Sequence, residues 1–337
     1  MTAAHDPAPL SYGAVGWGIL ATGGIAQQFA RDLALHGHRI AAVGSRSLGN
    51  AQRFADDFDS PNAHGSYEDL VADPEVDAVY VATPHTFHAD QAIAALDHDK
   101  HVLVEKSFTI DALQARSVVD RARERRRIVM EAMWTRVLPH MAFVREAVTS
   151  GRIGAIRSVH ADHTQQLPSD PAHRLNDLKL GGGALLDLGV YPLSFAHDLL
   201  GPPTEITARA VLGPTGADTS VATILRHADE TVSTSYSSME THGSNTATVL
   251  GTDGRIEIAA TWYAPTVVTL HDAHGDVVER FDHPVSGRGM QYQATEVERL
   301  IEAGETESPL MTPAGSVEVM ETMDQIRTAI GVHYPEE

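Results

Sequence analysis

From Tyr12 to about Ala132, short apolar runs rich in β-branched residues alternate with stretches whose apolar positions recur at helical spacing. That alternation is the grammar of βαβ units wound around a parallel sheet. Runs at 14–20, 39–44, 78–83, 101–105 and 128–132 are predicted strands, and their near-continuous apolar character suits strands covered on both faces. Helices are predicted between them at 25–35, 49–58, 67–72, 88–96 and 110–126. After about Arg136 the pattern changes to one helix, then a glycine-rich loop leading into a second helix at 183–200. Short alternating segments follow at 204–212, 220–225, 231–239, 246–251, 255–259, 266–270 and 277–281, the signature of a large, mainly antiparallel sheet in an α+β domain. A last helical pattern covers 312–331. The fold class expected is α/β: a doubly wound parallel sheet at 12–135, an α+β domain at 136–337, and a flexible tail at 1–11.

Composition narrows the function. A chain of 337 residues suits roughly two domains with substantial cores. Its 25 basic and 45 acidic residues leave a formal charge of −20, which repels a nucleic-acid backbone or an anionic membrane, so neither is an expected partner. The one basic cluster, 121–127, ends an amphipathic helical pattern and reads as a solvated face. There is no cysteine, hence no disulfide, thiolate metal site or cysteine nucleophile, which fits a reducing cytoplasm. The N-terminal residues carry neither a basic nor an apolar signal region, and no apolar run approaches the ~18 residues of a membrane span.

The segment WGILATGGIAQQFA, 17–30, offers glycines in two overlapping frames of a dinucleotide-binding loop. The frame starting at Gly16 leaves too short a strand before it. In the other, 14–20 is the strand, Ala21, Thr22, Gly23 and Gly24 form the turn, and Ile25 opens a helix whose N-terminal amides face a pyrophosphate. Ala21 stands where the motif usually has its first glycine. At the end of the next strand the chain reads Ser45-Arg46-Ser47, where an enzyme using NAD commonly carries an acidic residue for the ribose diol. A guanidinium flanked by hydroxyls suits a 2′-phosphate, so NADP is the expected cofactor.

Three further stretches carry chemistry: Thr83-Pro84-His85-Thr86-Phe87-His88, Val104-Glu105-Lys106-Ser107, and the run from Gly181 through Asp187 to Tyr191. The first two follow strands on the same sheet edge as the glycine loop and bring His85 and Lys106 to the nicotinamide end. Asp187 and Tyr191, at i and i+4, share one helical face. The pairs His85/His88 and His36/His38 lack a third ligand at metal-binding spacing, so no metal is expected.

On these stretches, with Glu131-Ala132-Met133-Trp134-Thr135-Arg136 and the ending 324–335, the chain resembles the Gfo/Idh/MocA oxidoreductases over nearly its whole length. EAMWTR and GGGALLDLGVY are most similar to the branch of dimeric dihydrodiol dehydrogenases and NADP-dependent D-xylose 1-dehydrogenases. The resemblance implies a Rossmann domain followed by a domain whose open sheet mediates dimers. It also implies that Lys106 is the lysine of a Glu-Lys-Pro motif and that Tyr191 holds the acid/base position. The chain departs from the pattern at Ser107, where proline is usual and the peptide is sometimes cis, and at His163, where the dihydrodiol dehydrogenases tend to carry an aromatic residue. A more polar ligand is therefore expected.

The reaction expected is hydride transfer between nicotinamide and a hydroxyl-bearing carbon of a sugar, polyol or cyclic diol, with Tyr191 moving the hydroxyl proton and the Lys106 ammonium lowering its pKa. Asp187 would hold a substrate hydroxyl. Trp134, His163 and Arg174 would line the substrate pocket, while Thr83, Pro84, His85, His88, Glu105, Trp134 and Arg136 would add to the cofactor site. Two other readings are a redox-inactive cofactor-binding regulator, marked by loss of the lysine or tyrosine, and a redox-neutral glycosidase that retains NAD. Lys106 and Tyr191 are both present, and Arg46 speaks against the retained NAD.

Overall fold

The computed structural model describes residues 14–335, so the tail expected at 1–11 and the start of the first domain at Tyr12 lie outside the described residues. The first sheet is built from β1 (Gly16–Leu20), β2 (Arg39–Gly44), β3 (Asn62–His64), β4 (Ala78–Val81), β5 (His101–Glu105) and β6 (Val129–Ala132). Its order, β3-β2-β1-β4-β5-β6 with every pairing parallel, is the doubly wound dinucleotide-binding order. The helices α1 (Gly24–Leu35), α2 (Leu48–Asp57), α3 (Tyr67–Ala72), α4 (His88–Asp97) and α5 (Ala112–Arg125) alternate with these strands. Trp17, Ile19, Leu20, Tyr80 and Leu103 are fully buried between the layers, as the apolar runs require.

Close packing settles the register of the glycine loop. A Cβ at Gly16 would lie 2.1 Å from the Glu75 carbonyl, and one at Gly18 would lie 2.8 Å from Val76, so both glycines belong to strand packing. A Cβ at Gly23 or Gly24 would meet nothing within 4 Å, because these two face open space at the start of α1. Ala21 takes φ +84°, a left-handed conformation that glycine adopts without steric cost. Ala21→Gly is accordingly expected to stabilise the fold by about 0.5–1 kcal/mol. A urea midpoint that rises with unchanged slope would show it, and a midpoint that falls would refute it.

After β6 come α6 (Pro139–Thr149), β7 (Ile156–Thr164), α7 (Val190–Leu200), β8 (Glu205–Leu212), β9 (Asp218–Arg226), β10 (Val232–Ser238), β11 (Ala247–Gly251), β12 (Gly254–Ile258), β13 (Val268–Asp272) and β14 (Val277–Phe281). These strands form one sheet, β14-β13-β12-β11-β7-β10-β9-β8, parallel only between β10 and β7. Val159, Ala208, Val221 and Leu225 are buried on the helix-covered face, whereas Val211, Ile224 and Tyr236 are exposed on the other.

Four elements differ from expectation. β3 has no apolar run to announce it, and central β7 offers only Val159 and Ala161 as buried apolar residues on its inner face. The helix expected at 183–200 opens with a wide π turn, Leu185–Gly189, before α7. The helix α8 (Gln291–Ala303) was hidden because Gln291, Gln293, Glu296 and Glu298 are buried polar residues that break its amphipathic pattern. Their environment explains the burial of the glutamates. Glu298 accepts from Trp17 Nε1 at 2.8 Å and bonds His38 Nδ1 at 2.7 Å, and Glu296 accepts from Arg299 and Ser308. A final helix, α9 (Pro313–Ile330), touches α5, α7 and β8 and so ties the two sheets together.

Candidate active site

Loops at the C-terminal ends of β1, β2, β4 and β5 open onto a cleft of about 1000 Å³, which the π turn and the start of α7 close from the other side. Of the residues read from sequence, Ala21, Thr22, Gly23, Gly24, Ile25, Ser45, Arg46, Ser47, Thr83, Pro84, His85, Glu105, Lys106, Arg174, Asp187 and Tyr191 all line it.

Four do not. Arg136 is buried, with its guanidinium committed to Ser194 Oγ at 2.9 Å, the Ser194 carbonyl at 2.8 Å and Asp198 at 3.7 Å, so it braces α7 and does not line the cleft. The buried ring of His88 stands between the carbonyls of Ser107, at 2.8 Å, and Thr83, at 2.9 Å. Burial, before the nearby Lys106 charge, lowers its pKa, and a neutral ring has one N–H to donate to one of these carbonyls, so the side chain is turned into the scaffold and away from the cleft. Trp134 lies behind the cleft and donates Nε1 to the Tyr191 hydroxyl at 3.1 Å. His163 is stacked on Tyr263 with ring centroids 3.8 Å apart and meets Tyr191 edge-on at 4.7 Å. Burial pushes His163 down to about 3, so it supports Tyr191 as a neutral ring.

The lysine end of the cleft is a compact charge cluster. Lys106 Nζ donates to the Asp187 carbonyl at 2.8 Å and to its carboxylate at 3.5 Å, and it lies 5.2 Å from the centre of the Tyr191 ring. Burial pulls Lys106 down, but Asp187, Tyr191 and Glu105 together outweigh it and hold the ammonium above its ordinary pKa. Asp187 also faces Arg174 at 3.5 Å, and despite burial these two cations keep its carboxyl far below the usual carboxylate range. The expected lowering of Tyr191 is overturned. Burial raises its phenol above the ordinary value, and the opposing pull of Lys106 does not recover it.

Glu105 is buried, accepts from Tyr80 and rises to about 6 through desolvation. His85 Nδ1 donates to the Gly181 carbonyl at 3.0 Å, and burial pushes that ring down to about 3. The Lys106–Ser107 peptide is cis. The Ser107 hydroxyl donates to the Leu186 carbonyl at 2.7 Å, so Lys106 and Ser107 take two successive carbonyls of the π turn.

A dinucleotide fits these residues. Gly23 and Gly24 leave open space above an α1 N-terminus that no side chain caps, a ready anion site. Thr83 Oγ1 is buried without a hydrogen-bond partner, and Arg46 lies beside Tyr67 and lowers that phenol's burial-raised pKa. Sequence reasoning missed Gln28, Asn50, Tyr67, Gln165, His173 and Arg288, which also line the cleft. Asn50, one helical turn beyond Arg46, and Gln28, on the helix that the glycine loop opens, had a local signal. The others come from segments with no motif of their own.

Sheet order, glycine loop and a lysine–tyrosine cluster across the cleft define the class as a dinucleotide-dependent oxidoreductase with a second α+β unit. The chain belongs to the GFO/IDH/MocA family: residues 15–133 match the oxidoreductase family's NAD-binding Rossmann fold, and residues 141–257 match the GFO/IDH/MocA C-terminal domain. It is 35% identical to the NADP(+) D-xylose 1-dehydrogenase of Hypocrea jecorina, covering 95% of this chain and 93% of that one. It is 34% identical to trans-1,2-dihydrobenzene-1,2-diol dehydrogenase of Mus musculus, covering 96% and 99%. Among solved structures, a 3-ketoreductase from Actinomadura kijaniata in complex with NADP and TDP-benzene superposes with a TM-score of 0.81 at 27% identity, covering 94% of this chain and 98% of that one. No described helix is long and apolar enough to cross a membrane.

Proposed function

We propose that the protein is an NADP-dependent dehydrogenase or reductase acting on a CH–OH carbon of a sugar, polyol or cyclic diol. The observation that carries this reading is the cluster of Lys106, Asp187 and Tyr191 at the end of the cleft away from Arg46. The curated relatives oxidise a pentose and a cyclic diol, both carrying adjacent hydroxyls. Bound NADP supplies the hydride acceptor or donor. Tyr191 gives or takes the hydroxyl proton, Lys106 holds positive charge beside it, and Asp187 with Arg174 orients the neighbouring hydroxyl. Arg46, with Ser45 and Ser47, takes the 2′-phosphate, and the glycine loop takes the pyrophosphate. In this reading 12–135 is the cofactor domain and 136–337 the substrate and dimerisation domain. A cysteine-free chain suits the reducing cytoplasm. The test is a screen of aldoses, polyols and trans-diols with NADP⁺, and of ketoses and dicarbonyls with NADPH, read by absorbance of the reduced cofactor. Failure of every pair would overturn the reading.

The same proposal includes a homodimer through the eight-stranded sheet. Val211, Ile224 and Tyr236 are 57%, 55% and 44% exposed on its helix-free face, and a second copy would bury them. Light scattering at micromolar concentration is expected to give twice the chain mass, and Tyr236→Glu to reduce it. A monomeric wild type would sink this part.

A further inference from the structure

Beside the cleft, with Trp134 in its wall, lies a second depression of about 710 Å³, and Gln165 and Arg288 line both. Arg288 enters this junction on a built loop. Both Asp32 carboxylate oxygens accept from the Arg288 amide, at 3.1 and 3.0 Å, and one also accepts from the Met290 amide at 2.8 Å. Asp32 is itself buried on α1, so the loop is pinned to the first domain. The guanidinium lies 5.4 Å from the centre of the Trp134 ring, whose Nε1 touches the Tyr191 hydroxyl. One indole therefore separates Arg288 from the phenol, a distance on the scale of a sugar ring.

Charge sets this arginine apart from the cations at the lysine end. Lys106 and Arg174 share the Asp187 carboxylate, each at 3.5 Å, whereas Arg288 has no ion pair among the described residues. The one carboxylate on the depression's wall, Asp282, is held by Arg280 at 3.1 Å. The glycine loop does not border the depression, so the cofactor's phosphates have their own amides and Arg46 elsewhere. A planar fork of donors with no partner, seated on an aromatic face, matches a carboxylate or phosphate oxygen pair.

We infer that Arg288 is a specificity residue that binds an oxyanion on the substrate, remote from the reacting carbon, so that the preferred substrate is a sugar acid or a sugar phosphate. This rests on the oxidoreductase reading above and names the substrate class of the same site. The test compares a neutral aldose with its matched uronic acid and its 6-phosphate, for wild type, Arg288→Gln and Arg288→Lys, with NADPH binding followed separately by fluorescence. Wild type is expected to favour at least one anionic member by kcat/KM. Arg288→Gln should lower that kcat/KM by roughly 10- to 100-fold, chiefly through KM, and the neutral aldose by much less. Arg288→Lys should recover part of the loss, and NADPH affinity should move less than about threefold in both variants. Which member loses more identifies carboxylate or phosphate. Equal losses on neutral and anionic sugars would overturn the inference. So would a loss confined to NADPH affinity, which would make Arg288 a cofactor contact. A wild type that turns over neutral aldoses without favouring the anions also overturns it while leaving the oxidoreductase reading intact. Inactivity on every sugar with either cofactor strikes that reading instead.

Discussion

Replacing Tyr191 with phenylalanine is expected to lower turnover by roughly 10²- to 10⁴-fold, the range for a lost acid/base, while folding and NADP binding survive. Only the hydroxyl is removed, and its one hydrogen bond among the described residues comes from Trp134 Nε1. Lys106→Met should cost a similar factor, and the double variant little more, because one residue acts through the other. The pH dependence has a definite sign. Burial holds Tyr191 above its ordinary pKa, with Lys106 pulling the other way. The phenol is therefore protonated throughout the neutral range, so reduction should be flat there and fall only at alkaline pH. Oxidation needs the phenolate and should climb with pH across that range. Removing the ammonium removes the lowering contribution, so the alkaline limb should shift to higher pH in Lys106→Met. Steady-state rates in both directions decide the matter. A fully active Tyr191→Phe would make the residue a packed helix position and send the search for the base to His85.

The second large effect is expected at Arg46. Arg46→Asp removes the partner of the 2′-phosphate and places a carboxylate where a ribose diol can use it. Loss of charge-assisted hydrogen bonds worth about 1.5–3 kcal/mol corresponds to roughly a 10- to 150-fold weaker grip on NADPH, with repulsion adding to it. NADH should gain over the same exchange. The wild-type preference should shrink as salt is raised, because Arg46 is exposed and its field is screened. Titrating both reduced cofactors against wild type and variant tests this, and a wild type that holds NADH at least as tightly as NADPH would show the loop to be misread.

Legibility followed the physics of each element. β2, β5, α3 and β14 have the predicted limits because apolar period and turn residues coincide there. β7 and α8 were invisible because their inward positions carry His163, Gln293 and Glu298, polar groups that break the apolar pattern; Glu298 is held by Trp17 and His38, far away in sequence, whereas the buried Gln293 amide has no hydrogen-bond partner among the described residues. The site divides in the same way. Arg46, Lys106, Asp187 and Tyr191 stand in local motifs and line one cleft, whereas Tyr67, Gln165 and Arg288 reach it only through tertiary packing. Arg136 and His88 sit within motifs too, yet their side chains turn inward and hold the scaffold. Sequence adjacency to a site marks the backbone near it, while side-chain direction is decided by packing.

The anchoring of Lys106 to a main-chain oxygen separates two quantities that most ion pairs keep joined. The Asp187 carbonyl fixes where the ammonium sits, and the Asp187 carboxylate, farther off, sets how much of its charge is felt. A peptide oxygen can neither titrate nor be substituted. Changes of side chain at 187 therefore retune the field over the tyrosine without unseating the lysine, which leaves the strength of the site adjustable at constant geometry.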